Sequence, residues 1–341
     1  MTINEDLVEQ VVLSTLEGLG YSRLSAEEAS PDGSNPERDT YHEVILGERL
    51  QAAAQRLNPT IPADAIHEAL RTLQRRETPS LVEENRRVHQ MLVDGIDVEF
   101  PVEDGTIRGD KVWLIDYTKT SNNDWVVTNQ FTVVEGKRNR RPDVVVFVNG
   151  LPLVVIELKN AAGENATVEA AYDQLQTYKL QVPSLFRTNA LLVVSDGLTA
   201  RVGSLTADQE RFMPWRSVTG EHGDFTPSGP HELDTMLRGV FDRDHLLSLL
   251  RNFTVFADKG DGPFKIVAGY HQFFGATKAL RSAIEASSPD GDRRIGVIWH
   301  TQGSGKSLLM AFLGGLLVRS EELENPTLLI LTDRNDLDDQ L

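Results

Sequence analysis

RRPDVVVFVNGLPLVVIELKN, residues 140–160, decides how this chain folds. Two apolar, β-branched runs, 144–148 and 153–158, flank Asn149-Gly150, a dipeptide strongly favoured in tight hairpin turns. Each run is apolar enough for a central strand, yet charge marks one end of each. Asp143 opens the first; Glu157 and Lys159 close the second. Three ionisable groups at buried strand ends are costly unless they pair or hold a cation. Glu157 and Lys159 are two apart and so project from one face. A strict two-residue turn pairs Asp143 with Ile156 and leaves Glu157 on the opposite face. One extra residue, as a three-residue loop or a bulge at 149–152, sets Asp143 against Glu157 instead. Pro152 has no ladder N–H, so irregularity there is tolerated. The bulged register is the expectation.

The residue types then suggest a chemistry. Asp143 and Glu157, with the Ile156 or Leu158 carbonyl, offer hard oxygen ligands for Mg²⁺. Such a metal polarises a phosphodiester and helps form hydroxide from bound water. Lys159 is placed to orient that water and offset phosphate charge. A plain Asp–Lys–Glu ion-pair network at a sheet edge is the alternative. Gln174 and Tyr178, on a helix expected at 165–181, share one face at i, i+4; read alone they are ordinary helix-surface residues, but coupled to Glu157 and Lys159 on the preceding strand they could reach a phosphate or the metal's outer shell.

Charge complicates this reading. The formal net charge is −17, whereas a protein gripping DNA unaided usually shows a basic stripe. Either the positive charge is local, as at Lys137, Arg138, Arg140 and Arg141, or a partner supplies the grip. The chain has no Cys, which rules out disulfides and thiolate metal sites and fits a reducing cytoplasm. The N-terminus lacks the pattern of a secretory signal. The longest apolar run, Leu308–Val318, has 11 residues and is too short to span a bilayer.

Working outward, apolar spacing predicts helices over 3–18, 40–56 and 62–75. Strands are expected after Asn85, at 98–100, 112–117, 124–134, 144–148, 153–158 and 190–195. The Gly-, Ser-, Thr- and Pro-rich segment 217–230 reads as a linker between a first domain, 1–216, and a second, 231–341. The second domain should hold helices at 231–251 and 270–286. Its IGVIWHTQGSGKS, residues 295–307, has the strand, Gly-rich loop and helix start of a phosphate-binding loop. There Gly303, Ser304 and Gly305 would cradle ATP phosphates, Lys306 would contact them, and Ser307 would hold Mg²⁺. His300 stands where the strict pattern has Gly. A further strand is expected at 327–332.

Pro142-Asp143 … Glu157-Leu158-Lys159, followed by Gln174 and Tyr178, resembles the PD-(D/E)xK nuclease superfamily in its RecB-like branch. That resemblance implies an α/β fold with a mixed sheet flanked by helices. It also suggests Glu9, on the first helix, as a further metal ligand. Thr301-Gln302-Gly303-Ser304-Gly305-Lys306-Ser307 looks like motif I of superfamily 2 helicases. Tyr270-His271-Gln272 resembles their Q element, in which Gln272 reads adenine. Residues 231–341 would then begin a RecA-like motor, with Asp333, Arg334 and Gln340 able to face DNA. No acidic Walker B strand or second motor domain is present, so a fragment that binds nucleotide weakly and does not translocate is expected.

The order of these parts resembles the R (motor and endonuclease) subunit of type I restriction-modification enzymes. Strings such as Thr128-Asn129-Gln130, Phe147-Val148-Asn149-Gly150 and Thr332-Asp333-Arg334 carry the likeness across nearly the whole chain. It implies ATP-dependent cleavage of duplex DNA alongside methyltransferase and specificity subunits, with Mg²⁺ and ATP as cofactors. A helicase–nuclease of DNA repair and a non-catalytic DNA- or complex-binding piece remain as alternatives.

Overall fold

The protein is seen in a computed structural model that describes residues 5–102, 105–159, 167–258, 260 and 262–331. In chain order, α1 (Glu5–Gly18) leads to β1 (Ser22–Leu24), α2 (Gly47–Leu57), α3 (Ala63–Gln74) and α4 (Leu81–Asp94). A hairpin of β2 (Ile96–Pro101) and β3 (Ile107–Val112) precedes β4 (Trp125–Asn129), and a short one pairs β5 (Val133–Glu135) with β6 (Arg138–Arg140). Then come β7 (Val144–Val148), β8 (Leu151–Leu158), α5 (Val168–Gln181), β9 (Leu191–Ser195) and β10 (Ala200–Gly203). Helices α6 (Glu232–Val240) and α7 (Arg243–Asn252), the hairpin β11 (Thr254–Asp258) and β12 (Pro263–Val267), and helices α8 (Tyr270–Ser287) and α9 (Lys306–Arg319) follow.

Six strands form one mixed sheet in the order β1-β4-β7-β8-β9-β10. β8 and β9 run parallel, joined through α5 in a β-α-β crossover. Both faces are covered. Val127, Val146, Ile156 and Val193 share a core with Val8 and Val12 of α1 and Leu237 of α6. Val126, Val145, Val155 and Val194 share another with Ala171 and Leu175 of α5. Every residue of β7 and β8 is buried, which is why both read as continuous apolar runs without alternation.

The decisive hairpin is irregular at a different residue from the one expected. Val148 pairs with Leu151 and Phe147 with Pro152, so Asn149-Gly150 is a strict two-residue turn, with φ of 51° and 78°. The register then slips, and Val146 pairs with Val154. Leu153 is the extra residue, one position beyond the expected 149–152 window, and both Leu153 and Val154 enter the same core. The predicted consequence holds. Val144 lies opposite Ile156, so Asp143 comes opposite Glu157.

Other boundaries moved for identifiable reasons. Residues 40–46 are not helical; they wrap the buried Arg38 guanidinium, which donates to the Ala29, Glu43 and Thr132 carbonyls. α4 continues to Asp94, past the expected change to strands at Asn85; Ser80 caps it by accepting the Glu83 N–H, and Gly95 ends it at φ 76°. The expected strand 124–134 is cut at Gln130, which has φ 52°. The helix expected over 231–251 is two, because Asp242 caps α7 by accepting the Asp244 and His245 N–H groups. Segment 112–117 contributes only its first residue to a strand.

Residues 295–299 and 327–331 form no strand; Val297 and Trp299 are 90% and 89% exposed. A parallel strand needs neighbours on both sides, and none flanks these segments among the described residues. Residue 332 of that second predicted strand, and Asp333, Arg334 and Gln340, lie outside the described residues.

Candidate metal centre and nucleotide loop

Asp143 and Glu157 meet on the α5 side of the sheet, at the C-terminal end of β8. Neither is free in water: Asp143 is 6% exposed and Glu157 0%. The Leu158 N–H donates to Asp143 Oδ2 at 2.8 Å, which fixes that carboxylate against the strand end. Burial and the neighbouring Asp143 charge push the Glu157 carboxyl up to about 9, against the pull of Lys159. Asp143 is also raised, by burial, with the Leu158 N–H and Lys159 opposing. Lys159 Nζ lies 3.3 Å from Glu157 Oε1 and donates to the Leu158 carbonyl at 3.0 Å. Asp143, Glu157 and Lys159 are thus brought together.

With both carboxylates ionised, Glu157 Oε2 is buried without a partner. Two like charges sharing an orphaned oxygen form a pocket that wants either a proton or a cation. Hard carboxylate oxygens beside a backbone carbonyl are the donor set of a magnesium-sized ion, so the residues fit one. No group of three or more acidic, His or Cys side chains is poised around one point among the described residues. Glu9 explains why. Its Oε1 accepts from Asn129 Nδ2 at 2.7 Å and its Oε2 from Gln130 Nε2 at 2.6 Å. The same Gln130 amide lies 3.3 Å from Asp143 Oδ1. Glu9 is therefore tied to the carboxylate pair through Gln130.

Gln174 and Tyr178 flank the site from α5, with Gln174 Nε2 donating to the Tyr178 hydroxyl at 2.5 Å. Burial raises the Tyr178 phenol, as does the Glu157 charge. Both line a cleft of about 950 Å³ together with Glu9, Gln130, Arg140 and Asp143. Asn129 and Gln130 had no role assigned from sequence. What marks them is structural: the left-handed backbone at Gln130, whose N–H donates to the Asp143 carbonyl at 2.8 Å.

A second cavity, about 540 Å³, is lined by Gln272, Gly303, Ser304 and Gly305, along with residues of β10 and β12. Gly303 and Gly305 take φ of 79° and 74°, turning the loop into the start of α9. Gln272 is buried and held at both ends: Oε1 accepts the Gly269 N–H, and Nε2 donates to the Gly305 carbonyl at 3.1 Å. Lys306 Nζ folds back on the His300 and Thr301 carbonyls at 3.1 and 2.9 Å. Lys306 and Ser307, the first two residues of α9, are not among the residues lining the cavity.

The described residues thus hold a mixed sheet with two paired carboxylates at a buried strand end and, further along, a Gly-rich turn at the start of α9. The family described as type I restriction enzyme R protein N terminus matches residues 2–211, and that described as SWI2/SNF2 ATPase matches residues 271–341. The type I restriction enzyme HindI endonuclease subunit of Haemophilus influenzae is 39% identical over 99% of this chain and 32% of its own length. The MjaIXP endonuclease subunit of Methanocaldococcus jannaschii is 34% identical over 99% of this chain and 34% of its own. The chain belongs to the type I restriction enzyme R protein family, in its N-terminal part. It spans about a third of the length of those curated relatives. No helix among the described residues is long and apolar enough to cross a membrane.

Proposed function

We propose that this chain carries the Mg²⁺-dependent, PD-(D/E)xK-type nuclease module of a type I restriction subunit, with the ATP-binding start of a RecA-like, DNA-translocating motor. The module spans 1–216, a connection 217–230, and the motor segment 231–341. The observation that carries the reading is the Leu153 bulge, which sets Asp143 against Glu157 with Lys159 beside them. Asp143 and Glu157, with a strand-end carbonyl, would hold Mg²⁺. The ion would supply Lewis-acid polarisation of the phosphodiester and an acidified water.

The chain's own residues do the rest. Lys159 steadies the Glu157 carboxylate and presents positive charge where a phosphate's charge grows. Gln174 and Tyr178 offer an amide and a phenol on the cleft wall for a non-bridging phosphate oxygen. Gln130 keeps Glu9 and Asp143 apart as charges while linking them through one amide. Burial on both faces of the sheet excludes bulk water behind the pair. On the motor side, Gly303, Ser304 and Gly305 would present backbone N–H groups to ATP phosphates, Lys306 would swing from the loop carbonyls onto them, Ser307 would hold their Mg²⁺, and Gln272 would trade its loop contacts for the adenine edge. Duplex DNA, a methyltransferase subunit and a specificity subunit are the proposed partners, in the cytoplasm. Such partners would offset a net charge of −17 that disfavours unaided DNA capture.

Nicking of supercoiled plasmid with Mg²⁺ tests this. The Asp143→Ala and Lys159→Ala variants should each lose about 10²-fold or more relative to the unaltered chain. Calorimetry should show Mg²⁺ binding that Glu157→Ala removes. Equal nicking by all three proteins, or Mg²⁺ binding indifferent to Glu157→Ala, would reject the assignment.

A further inference from the structure

The cleft at the carboxylate pair is lined by both signs of charge: Asp6 and Glu9 of α1 and Asp173 of α5 are acidic, and Arg140 and Arg141, beside Asn139, are basic. The basic residues belong to the β5–β6 hairpin and the residue after it. Lys137, Arg138, Arg140 and Arg141 place four cations within five residues, in a chain whose formal charge is −17. None of the four makes an ion pair among the described residues. Lys137, Arg138 and Arg141 are exposed, and Arg140 Nε is buried without a partner. Unpaired guanidinium groups kept together repel one another, an arrangement that makes sense when an anion sits between them.

The hairpin is held rigidly from behind. Val133 is fully buried in the core shared with α5, and the Val134 N–H donates to the Tyr41 carbonyl at 2.9 Å. Glu135, opposite Arg138 in the hairpin, is engaged elsewhere, accepting the Ser184 N–H at 3.0 Å just past the end of α5. Gly136, at φ 60°, makes the turn that exposes the tip. Only Arg141 and Pro142 separate β6 from Asp143, so the hairpin and the carboxylate pair are fixed with respect to each other.

We propose that the β5–β6 hairpin is the DNA-backbone clamp of this chain, with Arg138, Arg140 and Arg141 seating phosphates that flank the scissile bond. The proposal rests on the reading of the cleft as a DNA-cleaving site, and it adds an orientation. The phosphate backbone enters along the hairpin, where the cations of the cleft are, rather than past Asp6 on α1 or Asp173 on α5, whose carboxylates repel it. The guanidinium forks grip phosphate oxygens without reading bases, so the clamp is indifferent to DNA sequence.

Salt-dependent binding of a fluorescent DNA duplex, followed by anisotropy without divalent cations, tests the clamp apart from the metal site. For the full chain, the slope of log affinity against log salt should fall by about 2 to 3 in the Arg138→Gln/Arg140→Gln/Arg141→Gln variant, near 0.9 per phosphate lost. The corresponding triple Lys variant should keep the unaltered slope, which separates lost charge from lost fold. As a charge-matched control, Arg71→Gln/Arg75→Gln/Arg76→Gln should leave the slope unchanged. An unchanged slope in the hairpin Gln variant, an equal fall in the control, or no duplex binding by the unaltered chain would each overturn the clamp. Failure of the nuclease reading looks different: Asp143→Ala would nick as well as the unaltered chain while the hairpin variant still lost its slope.

Discussion

Glu157 is the residue on which the site turns. Its carboxyl is pushed up to about 9 by burial and by Asp143, whereas an unfolded chain leaves it near 4.3. The sign follows from proton counting. Between those values the folded protein holds a proton that the unfolded chain has released, so its stability falls as pH rises through that window. Glu157→Gln removes this dependence. The variant should melt above the unaltered protein at pH 8 in a chelator, with the gap narrowing toward pH 5. Adding Mg²⁺ should raise the melting temperature of the unaltered chain and leave the variant unmoved. A variant that melts below the unaltered chain at pH 8 would show that Glu157 stabilises the fold as a plain ion-pair partner of Lys159.

At the scale of elements, the hairpin shows what could be read from the sequence and what could not. Asn149-Gly150 announced a turn, and the charged ends announced that Asp143, Glu157 and Lys159 would come together at one strand end. The position of the extra residue was not legible, because Leu153 is apolar like its neighbours and only the packing of the inner face selects it. The Ser80–Glu83 cap signal was present in the sequence, yet the polar run through Asn85 and Arg86 hid a helix that buries Val88 and Leu92. Gln130 was hidden differently, since a left-handed glutamine has no compositional mark. The hairpin also yields a stability test. At Gly150, φ is 78°, and an added Cβ would stand 2.4 Å from the Leu46 carbonyl oxygen and 2.9 Å from the Leu50 nitrogen. Both obstacles are backbone, so they do not move aside cheaply. Gly150→Ala should cost about 1–3 kcal/mol from the backbone conformation alone, before the clash is counted. Calorimetric melting should drop by several degrees; an unchanged midpoint would mean that α2 is free to retreat from the turn.

At the scale of the molecule, one buried lysine sits where the segment after α7 meets α4 and the stretch before β9, beside the Ser204 and Thr206 hydroxyls that also hold β12. Lys265 of β12 is 2% exposed and donates to Asn85 Oδ1 at 3.1 Å and to the Asn189 carbonyl at 2.6 Å. Among the described residues no carboxylate pairs with it, and burial pushes its ammonium down to about 7. His89, close by, is pushed down to about 3 by burial and by Lys265. From pH 7 to about 10 the unfolded chain holds the Lys265 proton and the folded one does not, so this group makes stability climb with pH. Lys265→Met should therefore be more stable than the unaltered chain below pH 7, with its advantage shrinking toward pH 10. Melting curves across that range check this, and an advantage that grows with pH would contradict it.

The amide of Gln130 deserves its place in the architecture for what it connects. One NH₂ group serves Glu9 on the first helix and Asp143 at the start of β7, which are otherwise 134 positions apart in the chain. A divalent ion drawn to Asp143 would compete with that donor, leaving it to Glu9 alone. Occupancy at the strand end would then change the hold on α1, whose Val8, Val12, Leu13 and Leu16 lie in the core, and so carry from the paired carboxylates into the packing of the first helix.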